Sequence, residues 1–172
     1  MLVIVDCDIA STFAKINRLE LLEKIFPEAS FRITSSVYAE LMRSKRAGFS
    51  FPDIIFSRFS LISLNDGELE IFKDFSQDKR IHYGEAEGLC ICKNRGAVFL
   101  TNDSLVVRFC EEKGIKVLDL KDLLLIMAEK GILTRDEMKQ LMEEIEKKDN
   151  TTIKAKDDIL DVYEHDRPSL SR

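Results

Sequence analysis

The chain has 172 residues, a net charge of −5 and 45% hydrophobic residues, which is typical of one globular domain with a small addition. This charge argues against a protein that binds nucleic acid through bulk positive charge, and the absence of an apolar run of about 18 residues predicts no membrane span. The N-terminal apolar segment is short and lacks a basic lead, so we expect no secretory signal and a cytoplasmic protein.

Strand-like and helix-like patterns alternate from the start of the sequence. Residues 2–5 form a continuous apolar run, which favours a strand buried on both faces of a parallel sheet. The further elements predicted in the first half are a helical pattern over residues 8–25 closed by Pro27, a strand at 31–34, a helix over 37–46 with Ser35 or Ser36 as its N-cap and Gly48 at its end, a loop or short helix after residue 49, a strand at 59–64, and a helix through Phe75 that begins at a capping arrangement of Asn65 and Glu68.

The second half continues the alternation and then becomes helical. Its predicted elements are helices at 85–95, 104–113 and 121–130, strands at 97–101 and 115–118, and a last long helix from the capping box at Thr134 to about Lys148. This order predicts a three-layer α/β/α fold with a central parallel sheet and extra C-terminal helices. We place the main domain at residues 1–125, a packed helical extension at 126–148 and a polar tail at 149–172. The tail is compatible with a flexible segment, a docking arm or a short helix over 157–163.

Four acidic residues fall where strands end or the following helices begin: Asp6, Glu40, Glu85 and Asp103. In a parallel sheet these positions meet at one edge, outside the carboxyl ends of the strands, where such folds place ligands. Clustered carboxylates repel one another unless a cation neutralises them, and ligands that are all oxygen favour Mg²⁺ or Mn²⁺. Taken singly, each acid could instead be a helix cap or a solvated helix residue.

Further acids lie close to these four in the sequence. Asp8, Glu87 and Asp119 are additional candidate metal ligands. Because Glu85 and Glu87 are two residues apart on a predicted helix, they point to different sides, and we prefer Glu85. It shares the inward stripe of that helix with Leu89 at i+4.

A basic cluster and the four cysteines also bear on function. Arg43, Lys45 and Arg46 follow Glu40 as a local basic cluster that could hold phosphates or be ordinary surface charge. The four cysteines contain no C-x-x-C pair, so we expect small buried thiols rather than a zinc site.

Four segments resemble the motifs of PIN-domain nucleases. They are Leu-Val-Ile-Val-Asp-Cys-Asp at 2–8, Thr-Ser-Ser-Val-Tyr-Ala-Glu-Leu at 34–41, Gly-Glu-Ala-Glu-Gly-Leu at 84–89, and Leu-Thr-Asn-Asp at 100–103 after Gly96. The resemblance covers roughly residues 1–125. Each motif alone is unspecific, whereas the ordered set, and above all the spacing from the third to the fourth, is fairly specific.

This resemblance implies an Mg²⁺- or Mn²⁺-dependent endoribonuclease that hydrolyses RNA phosphodiester bonds. It implies that Asp6, Glu40, Glu85 and Asp103 are the catalytic acids and that Thr101 supports the site. Many prokaryotic members are VapC-like toxins of toxin–antitoxin pairs and often dimerise, so a cognate antitoxin and a homodimer are the partners that the resemblance suggests.

The sequence departs from the family pattern at the first and third motifs. Cys7 stands where a hydroxyl residue is usual, and a thiol reproduces its hydrogen bonding poorly. Asp8 follows where Asn or Ser is common, and Glu85 replaces the more frequent Asp. We expect these changes to affect the rate and the choice of metal more than the fold.

Two other functions are compatible with part of this pattern. A haloacid-dehalogenase-type phosphatase would use Asp6 and Asp8 as nucleophile and acid, but it leaves Glu40 and Glu85 without a role. A catalytically silent PIN-like module that binds RNA or protein is the non-enzymatic alternative, and the presence of all four acids argues against it.

Overall fold

The computed structural model describes residues 1–165 and contains one parallel sheet of five strands. The strands are β1 (Leu2–Val5), β2 (Ser30–Thr34), β3 (Ser60–Ile62), β4 (Val98–Leu100) and β5 (Lys116–Leu118). Their order across the sheet is β3-β2-β1-β4-β5, and every neighbouring pair is parallel. This confirms the predicted parallel sheet and places the first strand of the sequence at its centre.

Ten helices surround the sheet in the described residues. They are α1 (Cys7–Lys15), α2 (Glu20–Ile25), α3 (Ser35–Arg46), α4 (Phe51–Arg58), α5 (Leu69–Phe75), α6 (Tyr83–Arg95), α7 (Ser104–Lys113), α8 (Leu120–Glu129), α9 (Arg135–Asp149) and α10 (Lys156–His165), with a 3₁₀ turn at Asp66–Glu68 before α5. The three-layer α/β/α fold with extra C-terminal helices is therefore confirmed. Within residues 1–165, no helix is long and apolar enough to cross a membrane.

The helical pattern over residues 8–25 forms two helices rather than one. Asn17 adopts a left-handed conformation with φ of 55°, which interrupts the α-helical backbone between α1 and α2. Both helices still bury apolar residues at helical spacing, including Phe13 and Leu22. The periodicity therefore indicated the buried face correctly, but it did not reveal the break.

The cap of α3 also lies one residue earlier than predicted. Thr34, the last residue of β2, accepts a hydrogen bond from the Val37 backbone N–H at 3.3 Å. Ser35, which we expected as a possible cap, is the first helical residue. Strand β2 therefore passes directly into α3, which keeps Glu40 close to the sheet edge.

Two apolar clusters fill the space on the two faces of the sheet. Successive residues of β1 point to opposite faces, so Val3 and Val5 belong to the first cluster and Ile4 to the second. The first cluster includes α1, α2 and the C-terminal helices, and the second includes α6 and α7. Gly88 of α6 lies directly against the sheet, because a Cβ there would approach the Phe99 ring to 2.6 Å.

The last helices are integral to the first cluster. Buried side chains of α8, α9 and α10, such as Met127, Ile145 and Ile159, pack with the core. Of the three alternatives for the polar tail, a helix is what the structure shows for residues 156–165. Residues 166–172 of that segment lie outside the described residues.

Candidate active site

Asp6 lies at the carboxyl end of the central strand. Its backbone N–H donates to the Leu100 carbonyl at 2.9 Å, and one carboxylate oxygen caps α1 by accepting from the Cys7 N–H at 2.8 Å. The other oxygen accepts from the Thr101 hydroxyl at 3.0 Å. Both oxygens therefore have a fixed partner, which orients the carboxylate.

Thr101 connects two of the predicted acids. It is fully buried just after β4. Besides donating to Asp6, its hydroxyl oxygen accepts from the Asp103 N–H at 3.3 Å. The Asp103 carboxylate in turn caps α7, accepting from the Leu105 N–H at 2.7 Å. The residue predicted to support the site thus contacts the side chain of one acid and the backbone of another.

Glu85 lies in the first turn of α6. Its carboxylate accepts from the His82 N–H at 2.7 Å and so forms part of a capping box. Gly84 lets this end of α6 approach α3, since a Cβ at position 84 would lie 3.2 Å from the Cβ of Ser36. The third acid is thereby placed next to the helix that carries Glu40.

Glu40 is exposed on α3 and faces Cys7. Burial, followed by the negative charge of Glu40, raises the pKa of the Cys7 thiol to about 12. The thiol therefore stays protonated at neutral pH and is unsuited to act as a nucleophile. All four cysteines are free, and Cys90, Cys92 and Cys110 are buried, as expected from the sequence.

The four predicted acids line one cleft of 610 Å³, together with Asp8. Their charges act on one another. Burial raises the pKa of Asp6 to about 7, and the charges of Asp8 and Glu85 add to this rise. Burial likewise raises the pKa of Glu85, with further contributions from Asp103 and Asp8. The cleft is a concentration of negative charge that a cation would relieve.

The additional acids have different environments. The Asp8 side chain lies in the cleft and accepts from the Asn102 N–H at 2.8 Å. Glu87 is buried outside this cleft, where it accepts from the Ser36 N–H at 2.9 Å. Asp119 caps α8 and is not among the described residues that line the cleft. Of the three, only Asp8 is brought to the four predicted acids.

The donor chemistry of the cleft fits a divalent cation. Every acid there offers oxygen, and each carboxylate has about four lone-pair sites, more than the hydrogen bonds described above occupy. As these side chains are oriented in residues 1–165, no group of three acids, histidines or cysteines is close enough to hold one ion. Binding an ion would therefore require rotation of acidic side chains such as Glu85 and Asp103, which are only partly buried.

The basic cluster is only partly directed at the cleft. Arg43 lines the cleft on the same helix as Glu40. Lys45 points elsewhere and pairs with Asp53 at 2.5 Å. Arg46 is exposed at the end of α3.

The sequence interpretation missed several residues near the acids. His82 and Tyr83 line the cleft immediately before the third motif. Asp149, at the end of α9, binds Lys15 at 2.5 Å and raises the pKa of Asp8, after the larger contribution of burial. The neighbourhood of Glu85 could have drawn attention to His82 and Tyr83, but no local signal relates Asp149 to Asp8.

Comparison with known proteins gives a family and a fold. A family model described as a PIN domain matches residues 2–157. The structure is similar to VapBC-1 from nontypeable Haemophilus influenzae, with a TM-score of 0.55 and 16% identity over 69% of this chain and 98% of that chain. It is also similar to VapBC2 from Rickettsia felis, solved bound to a DNA fragment from their promoter, with a TM-score of 0.53 and 18% identity over 69% of this chain and 98% of that chain. No curated protein matches the sequence significantly.

Proposed function

Because this chain belongs to the PIN-domain family, we propose that it is a metal-dependent endoribonuclease that hydrolyses RNA phosphodiester bonds in the cytoplasm. The observation that carries the proposal is the cleft, where Asp6, Glu40, Glu85 and Asp103 are gathered from four separate segments of the chain. The family match supports a nuclease, and the shape and charge of the cleft support a cation-assisted reaction.

Asp6, Glu85 and Asp103 would hold the ion, with Asp8 as a further ligand. Mg²⁺ or Mn²⁺ suits this set of carboxylates, since both prefer oxygen ligands. When bound, such an ion neutralises the acids, lowers the pKa of water and stabilises charge on the phosphate. Glu87 has no part in this proposal, because its carboxylate is buried against Ser36.

The remaining residues would orient the reaction. Glu40 is the acid of the four that is exposed, so it would face the attacking water and accept its proton. Thr101 would keep the Asp6 carboxylate in position through the hydrogen bond already described. In-line attack of water on phosphorus, with departure of the 3′ oxygen, would leave a 5′-phosphate and a 3′-hydroxyl.

The basic residues of α3 would hold phosphates beside the cleft. Arg43 lines the cleft, and Arg46 and Lys45 are exposed further along the same helix. Replacing Arg43 by Gln should weaken RNA binding. The number of counterions released on binding, measured from the salt dependence of the affinity, should fall by about one. The same change at Lys45 should have less effect, because that residue is paired with Asp53.

We also propose that the protein forms a homodimer and pairs with an antitoxin, as the VapC-like resemblance implies. The similarity to two VapBC structures supports this at the level of the fold. Light scattering of the purified protein tests the dimer. Purification of the chain with the product of an adjacent gene tests the antitoxin.

The decisive experiment measures cleavage of labelled RNAs and DNAs with Mn²⁺, Mg²⁺ or EDTA. We expect metal-dependent RNA cleavage that Asp6→Asn and Asp103→Asn abolish, and Asn at position 103 preserves the helix cap. Asp161→Asn, at an exposed position of α10, is the matched control and should cleave like the wild type. Metal binding without cleavage of any RNA would favour a binding module. Hydrolysis of a simple phosphomonoester, lost in Asp6→Asn, would favour the phosphatase alternative.

A further inference from the structure

We propose that a groove next to the acidic cleft is a base-binding subsite, in which one nucleobase of a single-stranded RNA stacks on Tyr83. This inference rests on the proposed function and adds to it the part of the substrate that is recognised. It assigns the groove to a flanking base, while the phosphate to be cleaved lies among the acids.

The groove adjoins the cleft. It has a volume of 400 Å³, larger than one nucleobase, and it shares Ser36, Ala39 and Tyr83 with the cleft wall. Its other walls come from the 3₁₀ turn region and α5, with Leu64, Leu69 and Phe72. A strand whose phosphate lies in the cleft would therefore have its neighbouring base within reach of an apolar surface.

The chemistry of the groove suits a base better than a phosphate. Among the described residues that line it, the charged side chain is Glu87, which is buried and accepts from the Ser36 N–H at 2.9 Å. An acidic side chain repels a phosphate, and apolar side chains offer it neither charge nor hydrogen bonds. The flat face of a neutral base is instead stabilised by apolar contact. The lining of the groove therefore favours the base of a nucleotide, while the phosphate would lie in the acidic cleft.

Tyr83 has the exposure and the support that stacking requires. Its side chain is 69% exposed, the highest value among the large hydrophobic residues described. The ring packs edge-to-face with Phe72, at 4.7 Å between centroids and an interplanar angle of 89°. This contact orients the ring while leaving surface for a ligand, and base–aromatic stacking is tolerant of base identity.

The chain supplies a matched control at Tyr38. This tyrosine is also exposed, at 41%, and its ring centroid also lies 4.7 Å from that of a phenylalanine, Phe56. It lines neither the cleft nor the groove. Loss of the ring at position 38 therefore removes an exposed tyrosine that packs on a phenylalanine while leaving the lining of the cleft and groove intact.

The test uses single-stranded RNA oligonucleotides that carry 2-aminopurine, whose fluorescence falls on stacking, in Ca²⁺ with intact RNA verified on a gel. We expect quenching by the wild type, Tyr83→Phe and Tyr38→Ala. Tyr83→Ala should lose the quenching and bind about 10-fold more weakly. A second series of oligonucleotides lacks one base each, at successive positions. At one of these positions, loss of the base should remove the difference in affinity between the wild type and Tyr83→Ala. Steady-state cleavage should show a raised KM for Tyr83→Ala with little change in kcat.

The outcomes separate this proposal from the ribonuclease itself. If the wild type cleaves RNA but Tyr83→Ala has the same KM and the same quenching, the subsite is wrong and the groove is better explained as a protein-docking surface. If Tyr83-dependent quenching occurs without cleavage in any metal, the subsite stands and the nuclease fails. Absence of both RNA binding and cleavage would overturn both proposals.

Discussion

Replacing Asp6 by Asn should stabilise the metal-free protein above neutral pH, although the same change should abolish cleavage. The Asp6 carboxyl has a pKa of about 7 in the folded protein, compared with the ordinary value of 3.8. Asn removes the charge and can still bond to both partners, with the direction of the Thr101 hydrogen bond reversed. Its amide oxygen can accept from the Cys7 N–H, and its amide nitrogen can donate to the Thr101 hydroxyl.

The sign and size of the effect follow from proton linkage. Below pH 3.8 the carboxyl is protonated in both the folded and the unfolded chain, so it does not disfavour folding. Between pH 3.8 and 7 only the unfolded chain loses the proton, and the free energy of unfolding decreases as the pH rises. Above pH 7 the loss is constant, and the difference between the two pKa values corresponds to about 4 kcal/mol.

Urea denaturation in EDTA at pH 4, 6 and 8 measures this directly. The variant and the wild type should have similar stability at pH 4, and the advantage of Asp6→Asn should grow to as much as about 4 kcal/mol at pH 8. The exposed Asp161→Asn should change stability by less than about 0.5 kcal/mol at each pH. A difference between Asp6→Asn and the wild type that does not depend on pH would refute the reasoning that a buried charge at Asp6 disfavours the metal-free fold.

Three further substitutions test the packing that supports the cleft. Gly88→Ala should destabilise by about 1–3 kcal/mol, because its Cβ would meet the Phe99 ring at 2.6 Å, and an unchanged urea midpoint would contradict that contact. Arg95→Met should lower the free energy of unfolding by about 3–5 kcal/mol at pH 7, because it leaves the fully buried Glu68 carboxylate without its ion pair. Adding Glu68→Gln to that variant should restore part of the lost stability in urea denaturation. Ile159→Ala should cost about 2–5 kcal/mol by calorimetry if α10 is part of the core, and a negligible change would mean that α10 is only loosely attached.

The sequence was sufficient to predict the sheet and the gathering of the acids. A run such as Leu2–Val5 is apolar on both faces because it is covered by helices on both faces, and this pattern is readable without coordinates. Once the strands are parallel, their carboxyl ends share one edge, so Asp6 and Asp103 could be placed at the same edge; that β1 and β4 are adjacent is known only from the structure. Glu40 and Glu85 followed because each lies within the first helical turns after its loop or strand.

Other features depend on contacts that leave no local signal. The break at Asn17 is one left-handed residue inside an otherwise regular apolar pattern. The spacing on α6 separates Glu87 from Glu85, but the sequence does not reveal that the Glu87 carboxylate accepts from the Ser36 N–H of α3. Asp149, at the end of α9, pairs with Lys15 of α1 and raises the pKa of Asp8. The two acids are far apart in the sequence, so no local pattern predicts this effect.

The central position of β1 has a consequence for the order in which the protein is made. Val3 pairs with Phe31 of β2 on one side and with Val98 of β4 on the other side. During synthesis, β1 and Asp6 therefore leave the ribosome long before β4 and Asp103 exist. The cleft cannot form on a chain that has not yet reached β4 and Asp103, so whatever reaction it performs begins only after β4 has joined the sheet.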